Sequence, residues 1–432
     1  MKRALVLGGG GSKGAYEIGV WRALNELNQK FDIVCGTSIG ALIGVLYVQH
    51  DYQKAYDLWD QITVDDVMVN GVNMDMDIEM IMSQKGKYVE FLSSYMHNKG
   101  ADISPFINMI DRMFDSEKFF DSEIDYGCMT VNFSKLLPQP MLKKDLDASN
   151  VKDYILASAS CFPAFPMKEI NEERFIDGGY HDNVPITLAR DMGAEEIVAV
   201  DLKSVGKNQV KPPQSDTVYI APYVPLGSFL LFDSEKIHRN MELGYLDAMK
   251  KFNKYLGYIY TFPLTNKDII LTFEDNMEKA LNHIDDVLNR NKMNIVVEKV
   301  VNYQITECLK PYKDYEYPYL AIIEQIAYTF EIDNLAITNL HVLMQQIFDI
   351  ADTHVSLLDD IKGKKAKTRE ILDNLKEQSK IDIICYIYHY LLKLDGNPSK
   401  EIETMSVVAN DSFMQAYALY SIKKEFKLYI KE

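Results

Sequence analysis

Hydrophobic residues open the chain as a short run, ALVL at 4–7, that stops at four consecutive glycines, the pattern of a buried parallel strand entering a turn. Past Lys13 the period changes: Val20, Leu24 and Leu27 recur at helical spacing and predict a helix with one apolar face. FDIVC at 31–35 reads as a second buried strand, running through GTSIG into the small-residue helix ALIGVLYV. A strand, a glycine turn and a helix, twice over, predict the opening of a βαβ layered fold. Strand patterns return in CMTVNF at 128–133 and EEIVAVDL at 195–202, with the small-residue run ILASASCFPAFP and the turn FIDGGYHDNVP between them. KNQVKPPQSD at 207–216 reads as a surface excursion, after which ELGYLDAMKKF at 242–252 is helical again.

From about residue 265 the strand signal fades. Met277, Leu281, Ile284 and Leu288, then Ile323, Ile326 and Phe330, then Ile337, Leu340, Met344 and Ile347 form one-sided stripes at helical spacing that need partners. The pattern predicts two domains, a layered α/β domain over 1–264 and an all-α domain over 265–432 without a visible repeat. Inside the first, residues 64–120 hold eight of the chain's 20 methionines, including Met74, Met76, Met80 and Met82. Methionine fills irregular gaps and builds adaptable surfaces, so this insertion reads either as helices with a soft core or as a cover over an apolar ligand site. KGKKAK at 362–367 reads as a solvated loop between helices.

Composition narrows the function classes. With 46 Lys and Arg against 63 Asp and Glu, the net charge of −17 excludes a broad nucleic-acid surface and general adsorption to anionic lipid. The five cysteines are far apart, odd in number and without metal-ligand spacing, which implies reduced thiols and a cytoplasmic setting. MKRALVL imitates the start of a signal peptide, but its apolar run ends at the glycines and is read as a strand. No stretch of 18 apolar residues occurs; the expectation is a soluble chain, with work at a membrane surface left open.

Two glycine turns carry the candidate chemistry. Gly9-x-Gly11-x-x-Gly14 matches the dinucleotide fingerprint, which also needs an acidic residue about 20 positions on, at the end of the second strand. That end is Cys35, and Asp32 lies early in the strand. The second turn, Gly36-Thr37-Ser38-Ile39-Gly40, is a G-x-S-x-G between a strand and a helix, the context of a nucleophile elbow. A serine nucleophile needs backbone N–H groups aimed at the developing oxyanion, and Gly9, Gly10 and Gly11 can supply them at the end of the neighbouring strand. It also needs a base. Of the eight histidines only His181 lies near other candidate chemistry, and none has a recognisable acidic partner. Asp177, ending the apolar run Phe175-Ile176 before two glycines, is the better candidate, provided that burial raises its pKa or a short hydrogen bond holds the serine proton.

Four blocks, GGGGSKG with AYEIGVW, the elbow GTSIG, the run ASASCFPAFP and DGGYHDNVP, together resemble the patatin-like phospholipase family over roughly residues 1–252. The resemblance implies a three-layer α/β/α core with a mostly parallel sheet, and hydrolysis of lipid acyl esters of the phospholipase A or lysophospholipase type. It implies a Ser–Asp dyad without catalytic histidine and without metal or cofactor. Ser38 matches the nucleophile, Asp177 the base, and Gly9, Gly10 and Gly11 the oxyanion loop. Lys13 stands where the family has Arg or Lys, and Gly14, Gly36, Gly40, Gly178 and Gly179 support the loop, elbow and turn. The implied partner is a phospholipid or other acyl lipid, with peripheral membrane contact and no nucleic acid. The helical domain lies outside the family pattern and leaves a homodimer or a protein partner open. A non-catalytic lipid-binding or regulatory protein on the same fold remains the alternative.

Overall fold

The computed structural model of the chain describes residues 1–69, 101–210, 215–281, 284, 287, 310, 315–354 and 378–425. The first apolar run is strand β1 (Arg3–Leu7), which leads through a 3-10 turn (Gly11–Gly14) into helix α1 (Ala15–Glu26). FDIVC and the start of GTSIG form β2 (Ile33–Thr37), followed at once by α2 (Ile39–Val48). Every residue of α2 is buried, which is why its sequence shows no polar face. Helices α3 (Tyr52–Gln61), α4 (Ser104–Met113) and α5 (Ser116–Asp121) precede β3 (Asp125–Asn132) and the short strands β4 (Leu137–Pro138) and β5 (Met141–Leu142). Then come α6 (Val151–Ser158), β6 (Lys168–Ile170), β7 (Glu173–Asp177), α7 (Ile186–Asp191), β8 (Glu196–Val200), β9 (Thr217–Ile220) and α8 (Ser234–Lys251).

These strands make one sheet in the order β6-β7-β3-β2-β1-β8-β9, with β4 and β5 paired to β3. The run from β3 to β9 is parallel, while β7 and β6 join antiparallel. Alternation along the central strands builds the layers. Ala4, Val6, Ile33, Cys35, Ile197 and Ala199 pack with Ile186, Leu188 and Ala189 of α7, while Val34 points to the opposite face, where Gly44 of α2 lies against it. The three-layer α/β/α architecture with a mostly parallel sheet stands as expected.

The chain divides into two compact units, Met1–Asn253 and Lys254–Glu432. The division falls before the position expected from the helical pattern, because the small antiparallel ladder of β10 (Tyr255–Leu256) and β11 (Phe262–Pro263) belongs to the second unit. Among its described residues the other main elements are helices: α9 (Lys267–Leu281), α10 (Pro318–Thr329), α11 (Leu340–Thr353), α12 (Lys380–Lys393), α13 (Lys400–Val408) and α14 (Asn410–Glu425). Leu340, Met344 and Ile347 are buried as their spacing predicts, but Ile337 lies before α11 and is exposed, bridging Thr261 through its backbone. Among the described residues no helix is long and apolar enough to cross a membrane. Met74, Met76, Met80 and Met82, the KGKKAK loop, Leu288 and Cys308 lie outside the described residues.

Helices α1 and α8 touch backbone to backbone. A Cβ on Gly19 would lie 1.8 Å from Met241 O, and one on Gly244 2.0 Å from Tyr16 O, so neither position accepts a side chain without parting the helices. Overpacking of this kind costs about 1–3 kcal/mol. We therefore expect Gly19→Ala to destabilise the N-terminal unit by that amount. Both tryptophans of the chain, Trp21 and Trp59, are buried in this unit, so a urea titration followed by tryptophan fluorescence measures it directly.

Candidate active site

Ser38 ends β2 and begins α2 in a single step. Its backbone takes φ 55° and ψ −123°, a region that costs a residue with a side chain roughly 1–3 kcal/mol. The turn is so tight that a Cβ on Gly36 would sit 2.3 Å from Gly40 O, and one on Gly40 2.4 Å from Leu7 O. The G-x-S-x-G spacing is therefore a steric requirement of the turn. Two hydrogen bonds hold it: the Ser38 N–H donates to Ser158 Oγ at 2.9 Å, and the Ser158 hydroxyl donates to Met129 O at 2.7 Å. The ASAS run was legible as a block, but nothing in its spacing showed that Ser158 braces the strained serine.

Asp177 reaches Ser38 through strand pairing. On β3, Met129 pairs with Thr37 of β2 and the next residue, Thr130, pairs with Asp177 of β7. β5 takes the edge of β3 opposite β2, and β4 continues along it, so β7 lies on the same edge as β2 and meets it end to end. The Ser38 side chain lies beside the Asp177 carboxyl, near enough to lower its pKa, and both line the same cavity. The Gly179 N–H donates to Asp177 Oδ1 at 2.7 Å, and the Asp177 N–H donates to Ser160 O at 2.9 Å. Asp177 is 6% exposed, and this burial raises its carboxyl to about pKa 6 against the opposing pull of the Gly179 and Ser38 donors.

The glycine loop closes a third side. The Gly9 N–H donates to Asn183 O at 3.1 Å, and Asn183 Nδ2 donates back to Gly9 O at 3.1 Å. Among the described residues the Gly10 and Gly11 N–H groups have no acceptor. Lys13 is buried beyond the loop and lines a separate hollow with Leu202 and Tyr223, and Gly14 packs on Trp59. Gly178 and Gly179 form the 3-10 turn after Asp177. His181 does not line the cavity, and Asp32 binds the Arg3 N–H at the start of β1, far from the strand ends where a ribose would lie.

Gly9, Gly10, Gly11, Ser38 and Asp177 share a cavity of about 310 Å³. Its walls are apolar: Ile62 and Val67, Phe106 and Met109 of α4, Phe165, and the 229–232 stretch with Phe229, Leu230 and Phe232. The two ends of the methionine-rich insertion, Val67 and α4, thus border the site. Among the described residues no three His, Cys, Asp or Glu side chains gather in a way that could hold a metal.

Residues 5–190 match the sequence model of the patatin-like phospholipase family. Over 207 residues the chain is 31% identical to lysophospholipase NTE1 of Phaeosphaeria nodorum, covering 47% of this chain and 12% of that protein. Over 203 residues it is 32% identical to a patatin-like phospholipase domain-containing protein of Caenorhabditis elegans, covering 46% of this chain and 14% of that one. The match therefore spans only about an eighth of the length of these curated relatives. VipD from Legionella pneumophila aligns over 98% of this chain and 90% of its own at 14% identity, with a TM-score of 0.38. The N-terminal domain belongs to the patatin-like phospholipase family, as its four sequence blocks imply.

A second carboxyl beside the site makes a stability prediction. Asp182 is 1% exposed; its Oδ1 accepts the Gln209 N–H at 3.2 Å, its Oδ2 has no partner among the described residues, and burial raises it to about pKa 6. Between the ordinary carboxyl pKa of about 3.9 and this value the folded chain keeps a proton that the unfolded chain releases, so stability falls as pH rises through that window. Asp182→Asn removes the decline. It should be more stable than the parent by about 2 kcal/mol at pH 7 and no more stable at pH 4, read by tryptophan-monitored unfolding at both pH values.

Proposed function

We propose that the N-terminal domain hydrolyses carboxylic esters of acyl lipids through Ser38 and Asp177. The observation that carries this reading is that Ser38, in its strained turn, and the buried Asp177 carboxyl share the wall of one apolar cavity. The family of the domain and its relatedness to lysophospholipases support it. Asp177 takes the proton from Ser38 Oγ, which attacks the ester carbonyl carbon. The tetrahedral oxyanion lies against the N–H groups of Gly10 and Gly11 and the N-terminus of α2. Gly9 shapes the loop instead of donating, since its N–H is committed to Asn183 O. As the intermediate collapses, Asp177 returns the proton to the departing alcohol and Ser38 is left acylated. A water then gives its proton to Asp177 and its oxygen to the acyl carbon, releasing the fatty acid and restoring the serine.

An aspartate at its ordinary pKa is a poor base at neutral pH, and burial of Asp177 moves it toward the working range. The apolar walls suit a long acyl chain, and the phospholipid or lysophospholipid type of substrate is inferred from the family and its lysophospholipase relatives. A lipid substrate also entails contact with membranes or micelles.

The test is fatty-acid release from mixed phospholipid vesicles with a chelator present. Ser38→Ala should abolish release, and Asp177→Asn should lower kcat about 10²–10⁴-fold. Turnover of the parent should depend on one ionisation near pH 6, falling on the acid side as Asp177 is protonated. Release unchanged by either substitution would overturn the mechanism, and lipid binding without release would point to a non-catalytic role.

A further inference from the structure

Large exposed apolar side chains of the N-terminal unit gather at one end of its sheet. Of those in its described residues, Met1 lies at the start of β1 and Val218 on the edge strand β9. The rest, Val69, Ile107, Phe133, Leu136, Leu137 and Val205, lie toward the strand ends that carry Ser38 and the glycine loop. β3 runs three residues past its last pair with β2, from Met129 to Asn132, and the turn at 133–136 therefore projects beyond that edge. Val205 is 49% exposed and also lines the cavity; Val69 and Ile107 are close in sequence to the lining residues Val67 and Phe106.

The turn is built in an unusual way for a solvated loop. Leu136 is 76% exposed and adopts φ 57°, a conformation that Gly or Asn takes more cheaply and that a leucine adopts at a cost. Leu137 and Phe133 beside it are also exposed. Lys135, the one charged residue from 133 to 137, is paired with Glu173 at 2.6 Å, so the tip is neutral. Exposed apolar surface of this kind marks an interaction site, and at the same end of the sheet Val205 is exposed at the rim of the cavity.

We propose that the 133–137 tip and the Val205 rim form a docking surface for a lipid layer with zwitterionic headgroups. This deepens the lipid-hydrolase reading and rests on it. The net charge of −17 disfavours anionic layers, so the attraction comes from Phe133, Leu136 and Leu137 entering the headgroup region. Docking in this orientation turns the strand ends that carry Ser38, and with them the cavity, toward the layer. A few inserted side chains give weak, reversible binding suited to repeated turnover.

The test uses the full chain carrying Ser38→Ala, so that binding is read without hydrolysis, with phosphatidylcholine vesicles in a sedimentation assay. The double variant Leu136→Asn, Leu137→Ser should partition about tenfold or more weakly. Its unfolding midpoint should be unchanged, because both side chains are exposed and Asn suits the turn. Val218→Ser, which removes an exposed apolar residue away from the cavity, should bind as the parent does. Equal binding by the double variant would overturn the proposal, as would absence of vesicle binding in the parent. A change in oligomeric size with binding unaltered would overturn it in favour of a contact with protein. Failure of the hydrolase reading would show separately, as no product from the chain with Ser38 intact.

Discussion

One edge of strand β3 is shared end to end by β2 and β7, and the site depends on that sharing. Thr37 pairs with Met129 and Asp177 with Thr130, so the two strand ends face each other across a single residue step. Backbone hydrogen bonds, reinforced by a sheet whose central strands are buried on both faces, set this separation. A serine just after β2 and an acid ending β7 then have to meet. Side-chain attraction between them is a consequence of the pairing and is not needed to produce it.

Holding a serine in a strained turn beside a buried carboxyl is costly, and the surrounding structure supplies the compensation. Ser158 accepts the Ser38 N–H, Ser160 O accepts the Asp177 N–H, and the Gly179 N–H stabilises the carboxylate. Asn183 ties the turn that begins at Asp177 to Gly9 by a reciprocal pair of hydrogen bonds. The three chain segments of the site are thus bonded to one another before any substrate arrives, which is the condition for donors to act without reorganising. The Gly10 and Gly11 amides are left over from this network.

The same framework bears on the two readings of the glycine turns. A dinucleotide fold would need its acid at the end of β2, but Asp32 lies at the other end and is occupied by the backbone of β1. At the end of β2 stands the elbow instead, with Gly36 and Gly40 packed against backbone oxygen. The glycine pattern alone fits both readings; the early place of Asp32 in its strand, already visible in the sequence, weighs against a dinucleotide, and its bond to the Arg3 N–H adds to that.

By itself the sequence determined what rests on short-range sterics and periodicity. The strand at 3–7, the second strand read at 31–35 and found at 33–37, the buried helix after the elbow, the helical character of the second unit and the candidates Ser38 and Asp177 were legible, because burial period and turn chemistry act over a few residues. Tertiary structure alone decided that β7 runs antiparallel onto the edge of β3, that β4, β5, β6 and β9 pair as short strands, and that Ile337 stands outside its helix. It also decided that Ser158 braces the serine, that the Gly9 amide is spent on Asn183, and that Lys13 lies away from the cavity. Each of these depends on partners distant along the chain. Local pattern says which residue can turn, pack or ionise, and only the closed sheet says which other residue it meets.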